Sequence, residues 1–217
     1  MHCKSPRPAR TPSPPSPPHT DADLLAVLLH RGSGPPGARL RQRAERALHQ
    51  AGGLHGLAER ARRNANPVDR TEQVLAAALE LAHRSLRETL TQRDLLDCPT
   101  AVAQCIGLRM AHLPREVFCV LFLDSRNRLL LLEELFMGTL GQTAVYPREV
   151  ARRALACNAA GVILAHNHPS GVTTPSAADR QVTQTLKHTL SCLEIPVLDH
   201  IIVGVGGHFS FAQSGLL

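Results

Sequence analysis

Apolar residues recur along this chain in two rhythms, and the change between them falls near residue 95. Before that point the spacing is helical. "DADLLAVLLHRG" predicts a short helix that Thr20 or Asp21 can cap and Gly32 can end. "GARLRQRAERALHQAGG" predicts a second, with Leu40, Ala44, Ala47 and Leu48 on one side and arginines elsewhere. The clearest is "DRTEQVLAAALELAHRSLRETL", in which Leu75, Ala78, Leu79, Ala82 and Leu86 share one face. Residues 21–94 therefore read as a small all-helical unit whose apolar stripes are packing surfaces.

After residue 95 the apolar residues gather into short runs. "EVFCVLFLD" and "RLLLLEELF", parted by "SRN", predict an antiparallel hairpin, and "GTLGQTAVY" is a third strand candidate. Pro147 then opens "PREVARRALACNAAG", a helix with proline in its first turn and Gly161 just past its end. "GVILAH" is a short buried strand. "SAADRQVTQTLKHTLSCLEI" is a helix with Val182, Leu186, Leu190 and Leu193 on one face, and "PVLDHIIVG" and "GHFSFA" close the chain as strands. Strands alternating with helices after a hairpin imply an α/β domain over 95–217, with a mixed sheet between helices on both faces.

Composition narrows the classes. With 217 residues and 43% hydrophobic content the chain can bury a core. No apolar run approaches the ~20 residues of a membrane span. The Pro/Ser/Arg-rich residues 1–20 lack the apolar segment of a secretory signal and read as a disordered tail, so a cytoplasmic protein is expected. The six cysteines are scattered without a Cys-x-x-Cys pair, which points to neither disulfides nor a thiolate metal site. The net charge of +6 is uneven: residues 1–100 hold 15 Lys and Arg against 10 Asp and Glu, and residues 101–217 hold 9 against 8. That bias leaves open a weak DNA association through the N-terminal half, against the plainer reading of a solvated face.

The chemistry concentrates in "ILAHNHPSGVTTPSAADRQV". Residues two apart on a strand project to one side, about 7 Å apart along the backbone. His166 and His168 thus point together off the end of "GVILAH", and Asn167 points the other way. Pro169, Gly171 and Pro175 turn the chain back, and Asp179 enters the first turn of the next helix, facing the imidazoles. Two nitrogens and a carboxylate can share one cation at ~2.0 Å and leave a fourth tetrahedral position for water, the open arrangement of catalytic zinc. Ser176-Ala-Ala-Asp179 is also a helix capping box with Asp in place of Glu, so capping competes with ligation for Asp179. The other ten histidines fall in no such cluster and read as surface or satisfied core residues.

His166-x-His168, seven residues, then Ser176-x-x-Asp179 resembles the signature of the JAMM (MPN-type) metallopeptidases, and "VYPREV", "AHNHPSG" and "LDHIIVG" resemble its RadC branch. The resemblance covers roughly Leu95 to Leu217. It implies an MPN-like mixed sheet flanked by helices, Zn2+ on His166, His168 and Asp179, an oxyanion donor in Ser176, and an upstream glutamate that handles the proton of the attacking water. Glu116, which opens the first strand, matches that glutamate's place; Glu133 and Glu134, at the end of the second strand, are the fallback. The implied activity is hydrolysis of a peptide or isopeptide bond in a protein or peptide substrate.

The alternative is a DNA-repair-associated accessory protein with a vestigial or structural zinc site. RadC-like proteins carry a helix-hairpin-helix with a Gly-x-Gly turn in their N-terminal unit. Here that place reads "RRNANPVDRTEQVLAAALELAHR", without the glycines and with Pro67 removing a donor. Other metal enzymes fit less well. The nucleoside deaminases' His-x-Glu with Pro-Cys-x-x-Cys is absent, as is His-Glu-x-x-His. The letters His-Asn-His match a nuclease's name only by coincidence.

Overall fold

Val117 to Leu123 is a strand, β1, buried at every position and paired along both edges. A run that is apolar on both faces needs a layer on each side. The computed structural model describes residues 20–63, 69–138 and 144–217. The chain divides into two compact units, Met1–Ala77 and Ala78–Leu217. Residues 1–19 of the expected tail lie outside the described residues, as do residues 64–68 within the helix-hairpin-helix-like stretch.

In the second unit, β1 pairs antiparallel with β2 (Leu129–Met137) across the predicted hairpin. Asp124 ties the turn: its carboxylate accepts the Arg126 and Arg128 backbone N–H groups and faces the Arg128 guanidinium. The Arg128 N–H bond in particular holds that carboxyl down at about 2. On its other side β1 pairs antiparallel with β3 (Gly161–Asn167), and β3 pairs in parallel with β4 (Val197–Gly204). The short β5 (Gly207–Ser210) returns antiparallel on β4, giving the order β2-β1-β3-β4-β5. The expected mixed α/β sheet is present.

Strand alternation sorts the core into two layers. Cys119, Leu121, Ile163, Ala165, Ile201 and Val203 meet Ile106 and Met110 of a helix, α5 (Pro99–Met110). Phe118, Val120, Phe122, Val162 and Leu164 meet Val150 and Ala154 of α6 (Pro147–Ala156) and Leu186 and Leu190 of α7 (Ala177–Ser191). Cys119 is one of five free cysteines among the described residues, and burial pushes its thiol up to about 12, so it serves as a small apolar side chain.

The first unit holds α1 (Asp21–Leu29), α2 (Ala38–Ala51), α3 (Leu54–Arg63) and the start of α4 (Arg70–Gln92). Leu25, Ala26, Leu29, Ala44, Leu57, Ala61 and Leu75 are buried within it. Thr20 caps α1, its hydroxyl oxygen accepting the Asp23 N–H at 3.1 Å. No described helix is long and apolar enough to cross a membrane.

Three expectations change, and a fourth lies mostly outside the described residues. Helix α1 ends at His30, not at Gly32, because the His30 N–H already closes onto the Val27 carbonyl. Helix α6 stops at Ala156, where Asn158 takes the left-handed backbone that Gly161 was expected to supply, and Gly161 instead begins β3. Helices α3 and α5 were not anticipated; "PTAVAQCIGLRM" is small and apolar with little contrast between its faces. Most of "GTLGQTAVY" lies outside the described residues, and its described ends, Gly138 and 144–146, are not strand.

The loop after β3 lies close to the end of β4. A Cβ on Gly204 would sit 2.5 Å from the Gly171 carbonyl oxygen, inside van der Waals contact with backbone that has little freedom to move. Gly204→Ala is therefore expected to lower stability by about 1–3 kcal/mol. The readout is a lower urea midpoint at unchanged slope.

Candidate metal centre

Strand β3 carries the site because it ends where it does. Its even-numbered residues face α7 and its odd-numbered residues face α5. His166 therefore emerges toward α7 at the last turn of the alternation, fully buried, while Asn167 goes to the opposite face. His168 continues the alternation one step past the strand, its N–H donating to the Val203 carbonyl at 2.9 Å. Gly171 (φ 80°) then takes a left-handed turn. Ser176 starts α7, which returns Asp179 to the histidines.

The three side chains meet. His166 Nε2 lies 3.0 Å from His168 Nε2 and 3.1 Å from Asp179 Oδ1, and His168 Nε2 lies 3.5 Å from Asp179 Oδ2. One ligand atom from each lies within 4.8 Å of the others, a set that could hold a metal ion. Both Nδ1 atoms are engaged away from this point. His168 Nδ1–H donates to the Val172 carbonyl at 2.6 Å, and His166 Nδ1 lies 2.9 Å from His200 Nε2. A carbonyl oxygen only accepts, so neutral His168 presents a bare Nε2 to the cluster. Two imidazole nitrogens and a carboxylate converging without a lysine or arginine is the donor chemistry that suits a divalent cation.

Capping and convergence on the histidines turn out to be compatible. Asp179 Oδ2 accepts the Ser176 N–H at 2.7 Å and Ser176 Oγ accepts the Asp179 N–H at 3.1 Å, a complete capping box. A carboxylate offers about four lone-pair sites on two oxygens, enough for both tasks. Burial pushes the Asp179 carboxyl up, but its close pairing with His166 and His168 and the hydrogen bond from the Ser176 N–H outweigh it and hold the group well below the usual carboxylate range. The hydrogen bond to Asp179 raises His168, against the opposing effect of burial.

Phe118 faces His166 across β1 and β3, and Glu116 lies just before β1, at the end of the sheet where His168 leaves β3. The Glu116 carboxylate is among the charges that raise His168. Glu133 and Glu134 stand on β2, beyond β1, where Glu133 is bound by Arg153 and Glu134 by Arg109 at 2.8 Å.

Three residues at the site carry more than sequence reasoning assigned to them. Asn167 was read only as facing away. Its Oδ1 accepts the Val117 N–H at 2.8 Å, and its Nδ2 donates to the Leu113 and Arg115 carbonyls at 3.3 and 3.1 Å. It thus clamps the backbone on both sides of Glu116. His200 was grouped with the satisfied core histidines. It is fully buried on β4, where burial holds its imidazole well below the usual range, and it bridges His166 to Thr183. The available signals were a histidine inside an apolar strand word and a threonine one helical turn after Asp179.

Residues 96–216 match the family model for the RadC-like JAB domain. A UPF0758 protein of Methylibium petroleiphilum is 51% identical over 203 residues, spanning 91% of this chain and 90% of the relative. A UPF0758 protein of Variovorax paradoxus is 47% identical over 202 residues, spanning 91% and 89%. Another from a Polaromonas species is 48% identical over 204 residues, also spanning 91% and 89%. This chain belongs to the RadC-like JAB-domain family. The JAB domain is of a superfamily that includes metallopeptidases, and the His-His-Asp cluster is present here.

Two outcomes are expected. Asn167→Ala leaves the Val117 donor and two carbonyls unpaired and should cost about 1–3 kcal/mol in chemical unfolding followed by circular dichroism. The second concerns pH in the presence of a chelator. Since His168 is raised in the folded state, its pairing stabilises fully below the unfolded value of about 6.5 and fades as pH rises through the higher folded value. The stability gap between wild type and His168→Ala should therefore be widest below about pH 6.5 and narrow as pH rises above it.

Proposed function

We propose that the protein is a zinc-dependent hydrolase that cleaves a peptide or isopeptide bond. The observation that carries this reading is the convergence of His166, His168 and Asp179 on one point at the end of β3, with the Glu116 charge near enough to act on His168. His166 Nε2, His168 Nε2 and an Asp179 oxygen would hold the ion. Zinc so held supplies Lewis acidity, bringing the pKa of water toward ~7 and polarising the scissile carbonyl.

The chain's own groups do the rest. Glu116 takes a proton from the attacking water and returns it to the departing amine, so that water adds across the C–N bond and the glutamate ends as it began. Glu133 and Glu134 stand on β2, beyond β1 from β3, whereas the Glu116 charge acts on His168, which favours Glu116 for that task. Ser176 is exposed, and its oxygen accepts the Asp179 N–H. Its own hydrogen can then point at the developing oxyanion. The substrate is a protein or peptide whose scissile bond reaches the mouth between the end of β3 and the start of α7.

A DNA-associated accessory role draws on the basic residues 1–100. Among them Arg41, Arg43 and Arg60 are already neutralised by Asp23, Asp69 and Glu72, which weakens that alternative. The test is zinc analysis with a peptide-library cleavage assay and a duplex-binding titration. Glu116→Gln is expected to retain zinc and lose at least about 100-fold in turnover, and His168→Ala to lose both. A wild-type rate in Glu116→Gln would remove that residue from the mechanism. Salt-dependent duplex affinity without any cleavage would favour the accessory role.

A further inference from the structure

A chain of hydrogen bonds runs from the Asp179 main-chain carbonyl through Thr183 and His200 to His166, and its proton positions can be deduced. The Thr183 hydroxyl oxygen lies 2.5 Å from the Asp179 main-chain carbonyl, which can only accept, so the single hydroxyl hydrogen goes there. The same oxygen lies 2.6 Å from His200 Nδ1. With its hydrogen committed, Thr183 accepts, and His200 Nδ1 carries the proton. His200 is fully buried beside another imidazole and is neutral, which leaves its Nε2 bare. That nitrogen faces His166 Nδ1 at 2.9 Å, so His166 donates there. Neutral His166 is then left with a bare Nε2, the atom that faces His168 and Asp179.

The ring planes are held as firmly as the protons. Phe118 stacks near-parallel on His166 with centroids 6.1 Å apart, and Phe211 stacks on His200 at 4.9 Å. Asp179 stands at both ends of the chain, its main-chain carbonyl anchoring Thr183 and its carboxylate lying 3.1 Å from His166 Nε2.

We propose that Thr183 and His200 form a tautomer relay that keeps His166 in its Nδ1–H form, so that Nε2 is ready for a divalent cation before one arrives. This rests on the metal reading above. Neither residue reaches the cation position; both are positioning residues, acting through His166. Without the Thr183 acceptor, the His200 proton is free to move to Nε2 and donate to His166 Nδ1. His166 would then carry its own proton on Nε2, where a metal cannot bind.

Thr183→Val keeps the shape and removes the acceptor, while Thr183→Ser keeps both hydroxyl functions. Full-length proteins stripped with chelator are titrated with Zn2+ against a competing chelator dye. Thr183→Val is expected to bind about 10–100-fold more weakly, and Thr183→Ser within about threefold of wild type. A second measurement needs no metal: nitrogen NMR of the histidine rings should find His166 and His200 both protonated at Nδ1 in the apo wild type. Equal zinc affinity in wild type and Thr183→Val would overturn the relay alone, as would a wild-type His166 protonated at Nε2. Failure of the wild type to bind zinc would overturn the relay together with the metal reading.

Discussion

Electron-rich atoms facing one another at close range are the constraint on which this site is built. The Nε2 atoms of His166 and His168 stand 3.0 Å apart, with a carboxylate oxygen close to each. Such an arrangement is repulsive unless a proton or a cation lies inside it, and burial removes the water that would otherwise screen it. The scaffold must therefore hold the groups together against their own repulsion. It does so with a central strand buried at every position, β3, and with a helix whose first turn is locked by a capping box. A proton on His168, which its hydrogen bond to Asp179 favours, relieves that repulsion. A divalent ion offers the same relief with more charge, so protons and metal compete for one place.

The same three-residue word serves two layers of the fold. His166 and His168 build the cluster on the α7 side, while Asn167 between them reaches through to the α5 side and fixes the backbone around Glu116. Strand alternation alone makes this economy available. Glu116 and the histidine pair belong to segments 50 residues apart, and one carboxamide ties the two backbones together.

The mixed sheet, the two helices α6 and α7 and the convergence of His166, His168 and Asp179 were legible from local pattern. Period-two alternation, Pro147 at a helix start and the Ser176-x-x-Asp179 spacing each encode geometry within a few residues. What escaped is what depends on packing between segments. His200 looks like any core histidine until β4 lies beside β3 and brings its ring to His166. Thr183 reads as a neutral helix residue until His200 arrives beside it. Helix α5 escaped for a different reason: Ala, Val, Cys and Gly along its length leave little contrast between faces, so its helicity is imposed by the sheet that it covers.

Strand β2 forms one outer margin of the described sheet, nine residues long. An open margin of that length invites a stray chain to zip onto it. The register shift between Phe118 and Cys119 puts an irregularity in its ladder, and Glu133 and Glu134 follow one another at mid-strand, clasped by arginines from α6 and α5. A chain trying to dock along this flank would meet uneven spacing and would have to strip charged pairs of solvent. The two ion pairs on Glu133 and Glu134 thus add to the cost of pairing along this margin.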